Sequence, residues 1–506
     1  MTADLETTFD QLCQHARQTA RLGSIGSLLN WDESVLLPPG GGAYRAEQTS
    51  LLAGMIHQRW IDPRLGEWLE TLSDSPLAAD PHSDQGATIR ELKRQRDKKI
   101  KLPQSLVEQL SRTAVLGQQQ WVEARKKNDF DSFRPLLERT IELKREEADA
   151  LGWQACRYDA LLDDYEPGEK TANLRAVLSA LRDVLVPIVS QIADCGRRPD
   201  RSFLERDFSP SAMIDFSRRV SENFGFDFDR GRLDTSPHPF CSGMGPSDCR
   251  ITTRKNPRDF SDCLFSVLHE TGHGLYEQGL RQEVYGLPPG EAISLGIHES
   301  QSRMWENQVG RGRAFWEHYF PLARSAFATQ LQGVELDAFY FAVNDVHPSL
   351  IRTEADEATY NLHIMIRFEL EQALLDGDLP VADLPGSWNE KYEQYLGVTP
   401  PNFADGVLQD VHWSAGLLGY FATYSLGNLY AAQFFAQAAA ELGPLDEQFR
   451  RGEFATLRNW LRKNIHSVGQ CRTAGELVQQ VTGKPLSHDA LIAHLKAKFG
   501  PLYGLS

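Results

Sequence analysis

Residues 260–277, FSDCLFSVLHETGHGLYE, place apolar side chains at Phe260, Leu264 and Leu268, the spacing of a helix that buries one face. The same periodicity recurs at Leu5, Phe9, Leu12 and Ala16, at Leu106, Leu110 and Ala114, and at Phe454, Leu457, Trp460, Leu461 and Ile465. Alternating apolar and polar runs bounded by turn signals are nearly absent, so the pattern predicts an all-α, predominantly helical fold. The exception is 231–255, GRLDTSPHPFCSGMGPSDCRITTRK, where Gly and Pro interrupt the helical pattern and Cys249–Thr253 is β-branched and alternating. A small β-hairpin is expected there, its last strand leading through Asn256 and Pro257, read as a cap and first-turn pair, into the helix. LPPGGGA at 37–43 reads as a loop after the first helix, and 72–86 and 376–400 read as loops inside one domain spanning 1–506.

The chain has 506 residues, 41% hydrophobic and 24% charged, an ordinary globular composition. Its net charge of −16 opposes unaided binding to phosphate backbones and anionic membranes, so neither nucleic acid nor a membrane is expected as a partner. Seven cysteines without a CxxC do not form a disulfide framework. The first twenty residues lack a basic and apolar leader, and no window approaches 18 uninterrupted apolar residues. A soluble protein of the cytoplasm is the expectation.

The opening helix carries His269-Glu270-Thr271-Gly272-His273, the HExxH pattern. Histidines four apart lie about 40° apart in helical projection, so both imidazoles reach one metal, with Glu270 offset toward a water bound there. Chance would place roughly 0.03 such patterns in a chain with 14 His. Leu264, Val267 and Leu268 offer a buried face, and Gly272 and Gly274 are read as leaving space near the metal. A catalytic zinc needs a third protein ligand and an open position. The segment 294–306, SLGIHESQSRMWE, opens on Ser294 as a good N-cap and offers His298 or Glu299. Adjacent helical residues diverge by about 100°, so one of the two is the ligand. Zinc lowers the pKa of its water toward about 7, and Glu270 then accepts the proton as hydroxide attacks a carbonyl and later passes it to the leaving amine.

At these residues the chain resembles the carboxypeptidase Taq family of metallocarboxypeptidases over nearly its whole length. Six motifs agree in order: His238-Pro239-Phe240, Asp248 to Thr252 (DxRxT), His269 to His273, His298-Glu299-Ser300, Ile351 to Asp356 (IRxxAD), and Gly406 to Trp413 (GxxQDxHW). The resemblance implies a helical fold similar to neurolysin and angiotensin-converting enzyme, with two helical halves flanking a deep groove. It implies removal of C-terminal residues from peptides with broad specificity, one Zn2+ or Co2+ per chain, and a homodimer. Carried over by position, His269, His273 and Glu299 become the metal ligands and Glu270 the general base.

Peptides with a free C-terminus need a carboxylate clamp, for which the guanidinium forks of Arg352 and Arg250 are candidates; Arg250 could instead pair with Asp248, and Arg352 with Glu354 or Asp356. His238 joins them as a substrate-binding candidate from its motif. In the wider helical metallopeptidase group that the chain resembles, a His followed by a Tyr some turns later contacts the tetrahedral intermediate, which implies that role for His412 with Tyr420 or Tyr424; Tyr420 is preferred because Gly416 and Gly419 beside it would let substrate approach. The strand at Arg250–Thr253 would pair with extended substrate backbone. His363, amid Leu362, Ile366 and Leu370, reads as packed. The alternative activity is an endo-acting or dipeptide-releasing oligopeptidase of the same fold.

Overall fold

A computed structural model describes residues 2–505. Helices run the length of the chain, from Thr2–Val35 to Asp489–Tyr503, and their ends follow local signals. Asp129, Ser209 and Ser294 each accept a backbone N–H in the first turn of the helix that follows, and Thr473 with Glu476 closes a reciprocal capping box. Left-handed Gly225 and Gly377 end the helices Pro210–Phe224 and Tyr360–Asp376. Within 376–400, read as a loop, Leu384–Leu396 is a helix that starts on Pro385 and buries Trp388 and Tyr392; its own apolar spacing outweighs the flanking Gly and Pro.

The irregular stretch forms a three-stranded sheet of order β1 (Gly231–Thr235), β3 (Cys249–Thr253), β2 (Cys241–Gly243). β2 and β3 make the expected antiparallel pair, with Cys241 opposite Ile251 and Gly243 opposite Cys249. β1 lies parallel to β3, Gly231 opposite Cys249 and Thr235 opposite Thr253, so the unit is more than a hairpin. β3 is therefore the central strand, with both edges taken, and the expectation that it pairs with substrate backbone is overturned. The chain then enters the HExxH helix, Phe260–Glu277, capped by Asp259, whose carboxylate accepts the N–H of Asp262, rather than by Asn256.

One large core runs through the helices from residue 124 onward, and a smaller one joins Leu12, Leu65, Leu69, Leu72, Leu92 and Leu287 under the N-terminal helices. The helix Thr171–Asp194 is long and apolar enough to cross a bilayer, yet its Leu174, Leu181, Leu185 and Ile192 are spent on the large core.

The HExxH helix packs against the helix Leu295–Arg303, and that helix against Ala422–Leu442. Close approach needs glycine at both contacts. A Cβ on Gly272 would stand 2.5 Å from the Gln301 carbonyl oxygen and the Ser302 Cα, and one on Gly427 would run into the Glu299 side chain. A Cβ on Gly274 would strike the Phe226 ring. Gly272 and Gly274 thus serve interhelical and ring packing, not space at the metal.

Candidate metal centre

The interhelical contact at Gly272 sets His269 and His273 against Glu299. Among the described residues these three form the one group of His, Cys and carboxylate side chains whose donor atoms lie within 4.8 Å of one another. His269 Nε2 is 3.5 Å and His273 Nε2 3.4 Å from Glu299 Oε2. Donors at zinc-ligand bond lengths of about 2.0–2.1 Å in a tetrahedron stand about 3.4 Å apart, so each imidazole stands at the spacing from the carboxylate that a small divalent metal requires.

The ring atoms facing away are fixed by partners. His269 Nδ1 donates to Glu306 Oε2 at 2.9 Å, leaving Nε2 as a lone pair aimed at the centre. Behind His273 stands His298, whose Nε2 donates to Glu277 Oε1 at 2.8 Å. That bond makes His298 Nδ1 an acceptor, so His273 Nδ1, 2.5 Å away, is the donor and its Nε2 is free for a metal. His298 is a tautomer-setting neighbour and Glu299 stands with the histidines. Burial pushes His273 down to about 3, which keeps it in the neutral form a metal binds. Glu299 Oε1 accepts from Arg303 Nε at 2.7 Å and Oε2 from Ser302 Oγ at 3.1 Å. Burial opposes its ionisation, but the Arg303 guanidinium outweighs that and holds the carboxyl well below its usual range. Glu270 is 6% exposed, and burial, reinforced by Glu299, pushes its carboxyl up to about 7.

A second cluster lies on the segment 406–424. Asp410 Oδ1 accepts Arg352 Nε and Nη2 at 2.9 and 2.8 Å, while its Oδ2 accepts Arg367 Nε at 2.8 Å. Arg352 thus pairs with Asp410 rather than with Glu354, which ends the short 3-10 turn that Arg352 opens, or Asp356, which caps its own loop through Ala358 and Thr359. Arg352 Nη1 donates to the Tyr360 hydroxyl at 3.1 Å, and Tyr360 stacks under Arg303, so a continuous chain of contacts joins Glu299 to Asp410. Next to Asp410, His412 Nε2 is 3.3 Å from the Tyr424 hydroxyl. Burial pushes His412 down to about 4, leaving a neutral imidazole at pH 7. Tyr420 packs edge-on to Tyr424 at 5.4 Å. Gly416 (φ +72°) has open space beside it, whereas Gly419 (φ +87°) backs onto the Leu161–Leu162 backbone. The irregular segment is pinned by buried Glu371, which accepts from Trp413 Nε1, the Gly419 N–H and the Tyr158 hydroxyl at 2.9, 3.2 and 3.1 Å.

Arg250 is apart from both clusters. Its Nε and Nη2 bond Asp248 at 2.9 and 2.8 Å, and its guanidinium lies 4.3 Å over buried Trp31 of the helix Thr2–Val35. His238 sits exposed between β1 and β2, its carbonyl accepting from Ser236 Oγ. His363 is fully buried with Nδ1 3.1 Å from the Tyr392 hydroxyl, packed as expected. Sequence reading missed Glu306, Glu277, Arg303, Arg367 and Glu371. Glu306 carried one faint signal, seven residues after Glu299 and hence near the same helix face, here reached through a π-helical turn at Met304–Gly310.

The sequence profile of the carboxypeptidase Taq (M32) metallopeptidases matches residues 11–499. The chain is 46% identical over 508 aligned positions to a thermostable carboxypeptidase 1 of Thermus thermophilus, covering 99% of each. It is 36% identical to carboxypeptidase 1 of Bacillus subtilis over 94% of this chain and 95% of that one. The crystal structure of an M32 carboxypeptidase from Deinococcus radiodurans superposes with a TM-score of 0.95 at 41% identity, covering 98% of this chain and 100% of the other. With its paired histidines and carboxylate oriented for a divalent metal, the chain belongs to the carboxypeptidase Taq (M32) family of metallopeptidases and is a peptide hydrolase.

Proposed function

We propose that this enzyme removes C-terminal residues from peptides with broad specificity, using one zinc ion, with cobalt as a functional substitute, held by His269, His273 and Glu299. The observation that carries the reading is the gathering of those three donors within 4.8 Å, each Nε2 standing 3.4–3.5 Å from Glu299 Oε2, with both Nε2 lone pairs freed by Glu306 and His298. The ion supplies Lewis acidity, lowering the pKa of water and polarising the scissile carbonyl. Glu270 takes the proton of the attacking water and returns it to the leaving amine, a task suited to a buried carboxylate with a raised proton affinity. Neutral His412 and the hydroxyls of Tyr424 and Tyr420 donate hydrogen bonds where negative charge develops on the carbonyl oxygen. Arg352, beside His412 and under the Tyr424 ring, is the first candidate to hold the terminal carboxylate, through the N–H groups it does not spend on Asp410 and Tyr360. Arg250, whose partner Asp248 is partly exposed and displaceable, is the second, and His238 lies in the exposed loop between β1 and β2. All seven cysteines are free, in keeping with a reducing cytoplasm, and the exposed Leu36, Tyr44, Leu51 and Met55 offer apolar surface to the second copy of a homodimer.

The test is a cycle of free-acid and amidated peptides against wild type, Arg352→Ala and Arg250→Ala. Amidation should lower kcat/KM by about 10- to 150-fold in the wild type, the worth of a charge-assisted bond of about 1.5–3 kcal/mol. The variant lacking the clamp should lose that discrimination. Cleavage of amidated peptides at internal bonds with equal efficiency would instead identify an endo-acting oligopeptidase.

A further inference from the structure

Behind the HExxH helix, two thiols face each other across the sheet. Cys241 on β2 pairs with Ile251, and Gly243 pairs with Cys249 on β3, so the two cysteines occupy diagonal positions on one face. Their sulfurs are 3.6 Å apart. Diagonal Cβ atoms across a strand pair stand about 7–8 Å apart or somewhat less, beyond the roughly 3.5–4.5 Å that a disulfide needs, so closing a bond of about 2.05 Å would require backbone movement. A tetrahedral cation with metal–sulfur bonds of about 2.3 Å spans a sulfur pair about 3.8 Å apart and requires almost none.

The surroundings supply entry and negative charge. A cavity of about 330 Å³ reaches Cys249 and Gly243 and is lined with Asp248, Glu277 and Glu291. Glu277 Oε1 is occupied by His298, and its Oε2 lies against Gly243, beside the cysteine pair. We propose that Cys241 and Cys249 form a second metal site, a two-thiolate seat for a soft divalent cation such as Zn2+ or Cd2+, entered through this acidic cavity and distinct from the His269, His273, Glu299 centre. Binding exchanges two thiol protons, released to solvent, for the cation. Without a cation, the bond with Cys249 and burial hold the Cys241 thiol well above its usual range, so Cys241 stays protonated.

The experiment adds Cd2+ to enzyme whose catalytic centre is already loaded with metal, and follows the thiolate-to-cadmium charge-transfer band together with X-ray absorption at the cadmium edge. The expected result is one further Cd2+ per chain with two sulfur neighbours. Cys241→Ser and Cys249→Ser should each weaken that binding at least 10-fold, and Cys471→Ser should leave it unchanged. A cadmium shell of nitrogen and oxygen alone, or a sulfur signal undiminished in Cys241→Ser, overturns the proposal. Because the sulfur count is read on the wild type, the result stands even where a serine variant fails to fold.

Discussion

At the scale of single residues, the site separates holding a metal from moving a proton. His269 is turned toward the centre by Glu306, and its Nε2 has no substitute among the residues around it. His269→Ala should therefore empty the centre, read by elemental analysis of the purified variant, with activity falling in parallel. Glu270 contributes no donor to the three-atom cluster. Glu270→Gln keeps the shape but cannot accept a proton, so it should retain metal at wild-type stoichiometry while kcat falls by about 10²- to 10⁴-fold. Near-normal turnover in that variant would remove Glu270 from the reaction. The HExxH spacing placed these residues in reach of one another because a helix brings positions four apart onto one face, a local rule. Their orienting partners obey no local rule. Glu277 acts through His298 across two helices, and Arg367 reaches Asp410 from 43 residues away. Such contacts exist only once the helices have packed.

At the scale of elements, the metal centre is a product of helix–helix approach. Gly272→Ala puts a methyl group against backbone of the neighbouring helix, where no rotamer change relieves it, and should cost about 1–3 kcal/mol of stability. Because the same contact spaces Glu299 from the histidines, metal affinity should drop as well. Gly54, exposed in the middle of the helix Gly42–Trp60 with nothing near its missing Cβ, is the control: Gly54→Ala should gain about 0.5–1 kcal/mol and leave metal binding untouched. Denaturant titrations with and without chelator distinguish the two. What was legible at this scale follows the range of the signal. Ser294 as a cap and the apolar stripe of Phe260, Leu264 and Leu268 depend on neighbours a turn away, and both are present. The parallel pairing of β1 with β3 depends on residues 18 positions apart with no turn chemistry to announce it, and the strand beside the site was therefore assigned an edge it does not have.

At the scale of the whole molecule, protons and metal both bear on whether the chain stays folded. His466 is fully buried with Nε2 2.9 Å from Gln301 Oε1, on the far side of the helix that carries Glu299. Burial pushes it down to about 3 from an unfolded value of 6.5. Above pH 6.5 both states are neutral and the group contributes nothing; between 6.5 and about 3 the unfolded chain gains a proton that the folded one refuses, so stability falls as pH falls. His466→Gln should flatten that acid-side decline by up to about 1.4 kcal/mol per pH unit, measured as unfolding free energy against pH. The metal acts in the opposite sense. A ligand that binds only the folded chain stabilises it by about 4.1 kcal/mol at a thousand times its Kd. For 506 residues the unfolding entropy is about 1 kcal/mol/K, so the expected rise in Tm is about 4 °C, growing with the logarithm of free metal. Glu270→Gln should show the full rise, because it leaves the three donors in place, and His269→Ala should lose the share of it that belongs to this centre. A rise that survives in His269→Ala would mean that the stabilising metal sits elsewhere, and the cysteine pair behind the helix would then be the place to look, since Cys241→Ser in that background should abolish what remains.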